Sequence, residues 1–123
     1  MNKTSREKLA TCHPNLIRLA IAVNNVYPIQ CICGYRNDTD QEKAFKEGKS
    51  RLKPGESKHN KKPSLAADFV PDPDRNAKTL DWNDQDEFEK MCLTFEQVAD
   101  ELDIKIRFGR DFSFKDYPHI ELV

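Results

Sequence analysis

An apolar run of strand length with one acid inside it, "LAADFV" at residues 65 to 70, limits what this chain can fold into. So short a run, ending in an aromatic and a β-branched residue, reads as a buried strand. Pro71 and Pro73 close it, because proline cannot donate to a sheet ladder. Three further segments read the same way: "YPIQCICGYR", ended by Gly34, then "IKIRFG" and "HIELV" near the C-terminus. Between them lie helical patterns. Thr4 and Glu7 fit a capping box that opens a short helix. Pro14 suits the first turn of a second, with Leu16, Leu19, Ala20 and Val23 on one stripe. "DTDQEKAFKEG" has acids in its first turn and Gly48 as its stop. Asn83 or Asp84 can cap a long helix with Phe88, Cys92, Phe95, Ala99 and Leu102 at helical spacing, and Trp82 reads as a core anchor at its entry. The order α-α-β-α-β-α-β-β predicts an α+β fold, helices packed on a small, mostly antiparallel sheet.

Charge decides which partners to expect. The 123 residues, 33% charged with a net charge of −1, carry no overall field toward nucleic acid or membrane. The distribution is uneven. Lys46, Lys49, Arg51, Lys53, Lys58, Lys61 and Lys62 crowd residues 46 to 62, a loop punctuated by Pro54-Gly55, whereas residues 81 to 103 are mostly acidic. The basic start "MNKTSREK" is followed by no uninterrupted apolar stretch, since His13, Pro14 and Arg18 break it, so neither a secretion signal nor a membrane anchor is expected. Cys12, Cys31, Cys33 and Cys92 form no C-x-x-C pair, and Cys31 and Cys33 read as small buried hydrophobes sharing a strand face. That usage suits a reducing compartment.

The chemistry-bearing residues are few. His59 lies in the basic loop, Asp68 within a strand, and His119 opens the last strand after Pro118. Two imidazoles and a carboxylate are a three-ligand set, and catalytic zinc typically uses three protein ligands plus water. Taken singly, a His or Asp in a small domain is more often hydrogen-bonded structure or surface than a metal ligand. His13, beside Pro14, reads as a helix-start residue and not as a ligand.

The motifs around these residues resemble a known family. Ser57-x-His59, Ala66-x-Asp68 and Asp116-x-x-His119, in that order, are similar to the D-alanyl-D-alanine peptidase family of zinc enzymes, which has a Hedgehog-like fold. "GYR" followed by Gln41, Phe45 and "KEGKS" resembles the segment that supplies that family's active-site arginine. "LDWND" and "IKIRFGRDF…DYPHIELV" look like its phage L-alanyl-D-glutamate endolysins, and the resemblance covers roughly residues 28 to 123. The step of nine from His59 to Asp68, with Pro63-Ser64 inside it, is longer than in many members, and Asp116 stands where dipeptidase members carry glutamate.

The resemblance implies that His59, Asp68 and His119 hold one zinc ion, that Asp116 is the catalytic base, and that Arg36 faces the scissile carbonyl. Glu121, on the strand face of His119, could orient that imidazole, and Ser57 could bond near the site. It further implies one peptidase domain over residues 1–123, without a cell-wall-binding domain. That domain would be a monomer held in the host bacterial cytoplasm until lysis, cleaving peptidoglycan stem peptides in the periplasm, most plausibly between L-alanine and D-glutamate. The lysine run could then guide an anionic substrate. A D,D-carboxypeptidase or dipeptidase on the same fold, a non-catalytic zinc module and a metal-dependent nuclease remain as alternatives. The nuclease reading lacks the second histidine and asparagine pattern of a ββα-metal site, and the presence of Asp116 argues against a non-catalytic module.

Overall fold

In the computed structural model, residues 1–76 and 81–123 are described, which leaves Leu80 of the "LDWND" motif outside them. The element order is α1 (Lys3–Leu9), α2 (Pro14–Val26), β1 (Ile29–Cys33), α3 (Asp38–Lys46), a 3-10 turn (Lys58–Asn60) and β2 (Ala66–Pro71). Then follow α4 (Gln85–Leu102), β3 (Ile106–Phe108), a second 3-10 turn (Gly109–Asp111) and β4 (His119–Leu122). The strands form one sheet in the order β1-β2-β4-β3 with every pairing antiparallel, as the α+β reading expects.

Most of the core lies on one face of that sheet. α2 packs on α4, and α4 lies against β2 and β3. Leu16, Leu19 and Val23 of α2 meet Phe88, Met91, Cys92 and Phe95 of α4 over Ile29, Cys31, Ala67, Phe69 and Ile120 of the sheet. Phe69 and Phe95 are fully buried with ring centroids 5.0 Å apart. Burying side chains of this size contributes about 1.5–3 kcal/mol each.

Period-two alternation then sends the remaining strand side chains to the other face. Ala67 and Phe69 of β2, and Ile120 and Leu122 of β4, belong to the core, so Asp68, His119 and Glu121 face away from it. Register completes the arrangement, because Asp68 pairs with His119 and Ala66 with Glu121.

Local chemistry departs from the sequence reading at several points. Asn2, and not a Thr4–Glu7 box, caps α1: its side chain accepts from the Ser5 amide and its own amide bonds Gln30 Oε1 at 3.0 Å. A cap two residues earlier ties the helix start to Gln30 of β1. Trp82 is not a core anchor; it is 57% exposed and stacks on Phe88 at 6.2 Å. The apolar face of α4 already fills the interior, leaving the indole as a cover over its rim. His13 does start α2, its Nδ1 accepting from the Asn15 amide, and Asp84 caps α4 by accepting from Glu87. Among the described residues, no helix is long and apolar enough to cross a membrane.

Candidate metal centre and active site

The basic loop is less irregular than its composition suggests. Ser57 caps the 3-10 turn, its Oγ accepting from the His59 amide at 3.1 Å while Asn60 Oδ1 accepts from the Ser57 amide at 3.2 Å. This reciprocal cap fixes the backbone that bears His59, and the Arg36 amide adds a 2.8 Å bond to the His59 carbonyl. The long step to Asp68 is accommodated against the α1–α2 connection, where the Ser64 amide bonds the Thr11 carbonyl and the His13 amide bonds the Ser64 carbonyl. Ser57 therefore shapes the turn.

The folded chain brings three donor atoms together. His59 Nε2 is 3.3 Å from Asp68 Oδ1, His119 Nδ1 is 3.5 Å from the same oxygen, and the two nitrogens are 3.3 Å apart. A four-coordinate ion with bonds of about 2.0–2.1 Å holds neighbouring donors roughly 3.3–3.4 Å from one another. The near-equilateral triangle has that size. Asp68 Oδ1 is buried and has no hydrogen-bond partner, an expensive state for a carboxylate oxygen unless a cation takes its lone pair. The outward ring atoms are occupied: His59 Nδ1 lies 2.8 Å from the Gly34 carbonyl and His119 Nε2 lies 2.8 Å from Glu121 Oε1. Each imidazole can thus donate its one N–H outward and present its lone pair inward, the arrangement a metal-binding histidine needs. His59, Asp68 and His119 form a possible metal-binding triad.

The three side chains shift one another's titration. Burial opposes the charged form of His59, yet the neighbouring Asp68 and Cys33 side chains outweigh it and push it up to about 10. Burial likewise opposes charge on His119, but Asp68 and Glu121 raise it, while the two imidazoles hold Asp68 well below the usual carboxylate range despite its burial. A cation held among these groups would take the place of those protons.

Arg36 and Asp116 flank the triad. Arg36 Nη2 is 3.6 Å from Asp68 Oδ2, and Nη1 donates to Gln41 Oε1 at 3.0 Å. Asp116 is half-buried; burial pushes its carboxyl up from the ordinary value, and the negative charge of Asp68 adds to the effect. A tight turn holds it there, with the His119 amide on the Asp116 carbonyl at 3.1 Å and the Asp116 amide on the Gly109 carbonyl at 3.0 Å.

Three residues near the site have contacts that the sequence reading did not assign to them. Gln41 is fully buried and is the one buried residue of α3. Its carbonyl oxygen takes Arg36, and its amide nitrogen donates to Ser50 Oγ and the Leu52 carbonyl. The sequence marked Gln41 only as part of the family-like segment that follows Arg36, with no contact assigned to it. Gly109 is close-packed, since a Cβ there would lie 2.1 Å from the Asp116 carbonyl oxygen and 2.7 Å from His119 Cβ. Cys33 corrects an expectation. A register shift between Cys31 and Cys33 breaks the alternation, so Cys31 enters the core while half-buried Cys33 pairs with Asp68 and sits 3.9 Å from His59 Nδ1 and 3.5 Å from Arg36 Nη2. Two residues apart on a regular strand would have shared a face; a bulge separates them.

Comparison with known proteins points the same way. The family model described as phage L-alanyl-D-glutamate peptidase matches residues 1–123. The L-alanyl-D-glutamate peptidase of Escherichia phage T5 is 35% identical over 123 residues, covering 98% of this chain and 86% of the phage protein. The crystal structure of the Serratia marcescens L-Ala D-Glu endopeptidase ChiX superposes with a TM-score of 0.84 at 25% identity, covering 100% of this chain and 89% of that one. This chain belongs to the phage L-alanyl-D-glutamate peptidase family.

Proposed function

We propose that this protein is a zinc-dependent hydrolase of the L-alanyl-D-glutamate bond in peptidoglycan stem peptides, acting as a phage or prophage endolysin. The observation that carries the reading is the buried, partnerless Asp68 Oδ1 facing two imidazole nitrogens at 3.3 and 3.5 Å. Mixed imidazole and carboxylate donors suit zinc better than calcium or magnesium. His59, Asp68 and His119 would hold the ion. When bound, zinc supplies Lewis acidity, which polarises a carbonyl and brings the pKa of water to about 7.

The chain's own groups do the rest. Asp116 takes a proton from the attacking water and returns it to the leaving amine of D-glutamate, so that the carboxyl acts first as base and then as acid. Its raised pKa suits the second task. Arg36 stabilises negative charge developing on the scissile oxygen; Gln41 holds one end of the guanidinium and leaves the other toward the triad. Glu121 and the Gly34 carbonyl fix the tautomers of the ligand imidazoles. In and beside the basic loop, Arg51 lies 4.2 Å over the Phe114 ring, Lys53 over Phe45 and Lys62 over Tyr35. Such a cationic surface favours an anionic peptide. The enzyme works as a monomer that waits in the host bacterial cytoplasm and reaches periplasmic peptidoglycan at lysis.

Mass spectrometry of muropeptides digested by the purified protein tests the reading. The expected product carries a new amino terminus at D-glutamate, and the wild-type protein contains one zinc per chain. Release of free D-alanine would favour the carboxypeptidase alternative. Absence of zinc from the active protein, or full zinc in His59→Ala, would overturn the ligand assignment.

A further inference from the structure

Lys58 directly precedes His59 in the 3-10 turn, and its side chain runs away from the rest of the basic loop. Its ammonium lies 3.2 Å from Glu121 Oε2 and also donates to the Leu122 carbonyl on β4. Glu121 uses its other oxygen, Oε1, for His119 Nε2 at 2.8 Å. The carboxylate is therefore held at both ends, by the ammonium from the His59 turn and by the imidazole of the His119 strand. Glu121 is only 7% exposed, and a carboxylate that deep is costly unless a cation compensates it. Backbone bonds anchor the other end of the span, because the Lys58 carbonyl accepts from the Leu65 amide at 3.1 Å, just ahead of β2.

We propose that Lys58 is a positioning residue for the metal centre: through Glu121 it clamps the turn bearing His59 to the strand bearing His119 and sets the orientation of both imidazoles before metal arrives. The inference rests on the zinc reading above and extends it to a residue that touches neither metal nor substrate. On its own side of the cleft His59 is held by the Ser57 hydroxyl, the Gly34 carbonyl and the Arg36 amide. His119 depends on Glu121 for its outward bond. Lys58 joins the two halves, and with the ammonium removed Glu121 keeps one partner and can turn its free oxygen, and the imidazole with it, toward water. The other six cations of the basic segment serve as the comparison: a generic charge role would be shared with them, whereas the bond to Glu121 belongs to Lys58.

The test is zinc affinity of the purified full chain, measured by competition with a chromophoric chelator, for wild type, Lys58→Met, Lys58→Arg, Glu121→Gln and the Lys58→Met/Glu121→Gln pair. Cobalt(II) absorption provides a second readout of ligand geometry. Lys58→Met should weaken zinc binding by about 10- to 100-fold and shift the cobalt spectrum, the size of loss expected for partners of metal ligands. Lys58→Arg should recover most of it. The double variant should lose little more than Glu121→Gln alone, since a residue acting through Glu121 has nothing left to act on. If Lys58→Met does not fold by circular dichroism, Lys58→Gln, which keeps a donor for the Leu122 carbonyl, carries the same comparison. Wild-type affinity in Lys58→Met, or fully additive losses in the pair, would overturn the proposal and leave the zinc reading standing. A raised KM with unchanged zinc affinity would overturn it in favour of substrate contact. No zinc binding by wild type would sink both.

Discussion

Gly109→Ala measures how tightly the turn that bears Asp116 is built. The added methyl would lie 2.1 Å from the Asp116 carbonyl oxygen, 2.7 Å from His119 Cβ and 3.1 Å from the Asp116 carbonyl carbon, where real contacts stay beyond 3.0 Å. Two of the three neighbours are backbone atoms, so no flexible side chain can swing away. The turn itself must retreat by roughly 1 Å, and displacements of that size in a tuned site cost on the order of 10²-fold in rate. Overpacking of this kind costs about 1–3 kcal/mol in stability. Asp116 moves directly, because its amide bonds the Gly109 carbonyl, and His119 follows, because its amide bonds the Asp116 carbonyl. The variant should therefore stay folded at 25 °C, melt earlier, and turn over muropeptides about 10²-fold more slowly at saturating zinc. Circular dichroism melting beside mass-spectrometric turnover reads both. Wild-type turnover in Gly109→Ala would refute the reasoning, since it would mean the Asp116 turn can move without consequence.

The remaining predictions concern the groups around the triad. Asp116→Asn keeps the shape but cannot accept a proton, so it should retain stoichiometric zinc and lose about 10²–10⁴-fold in turnover; zinc lost along with activity would make Asp116 a ligand. Arg36→Lys should remain folded and metallated yet lose most activity, because a point-like ammonium cannot hold Gln41 and face the triad together, and near-normal turnover would remove Arg36 from the mechanism. The metal-free protein should lose stability with rising pH. His59 there keeps its proton up to about 10 against an ordinary value of 6.5, so the stabilisation is complete below 6.5 and is lost as pH rises toward 10. Melting curves of chelator-treated and zinc-loaded protein between those limits should diverge as pH rises, and parallel curves would contradict the proton-for-metal exchange. Gln41→Leu should lower turnover at unchanged zinc content by freeing the guanidinium, with wild-type turnover as the opposing result.

The sequence by itself determined the elements. "LAADFV" and "HIELV" have the length and residue types of short strands, and Phe88, Cys92, Phe95 and Ala99 fall on one apolar helix face, because such local features are written in the residues themselves. Motif order singled out His59, Asp68, Asp116, His119 and Arg36, and alternation put Glu121 on the face of His119. Tertiary structure decided what depends on residues far apart. The β2–β4 register sets Asp68 opposite His119, the 3-10 turn swings His59 onto the same oxygen, and a bulge in β1 sends Cys33 to the site and Cys31 to the core. Gln41, Gly109 and Lys58 act through distances to groups 5 to 64 positions away in the chain, and no local periodicity records such distances. Trp82 shows the converse: an indole suggests a core, but the space was already filled by α4 and α2. Local chemistry chooses the strands and helices, and only their packing decides which side chains share the cleft.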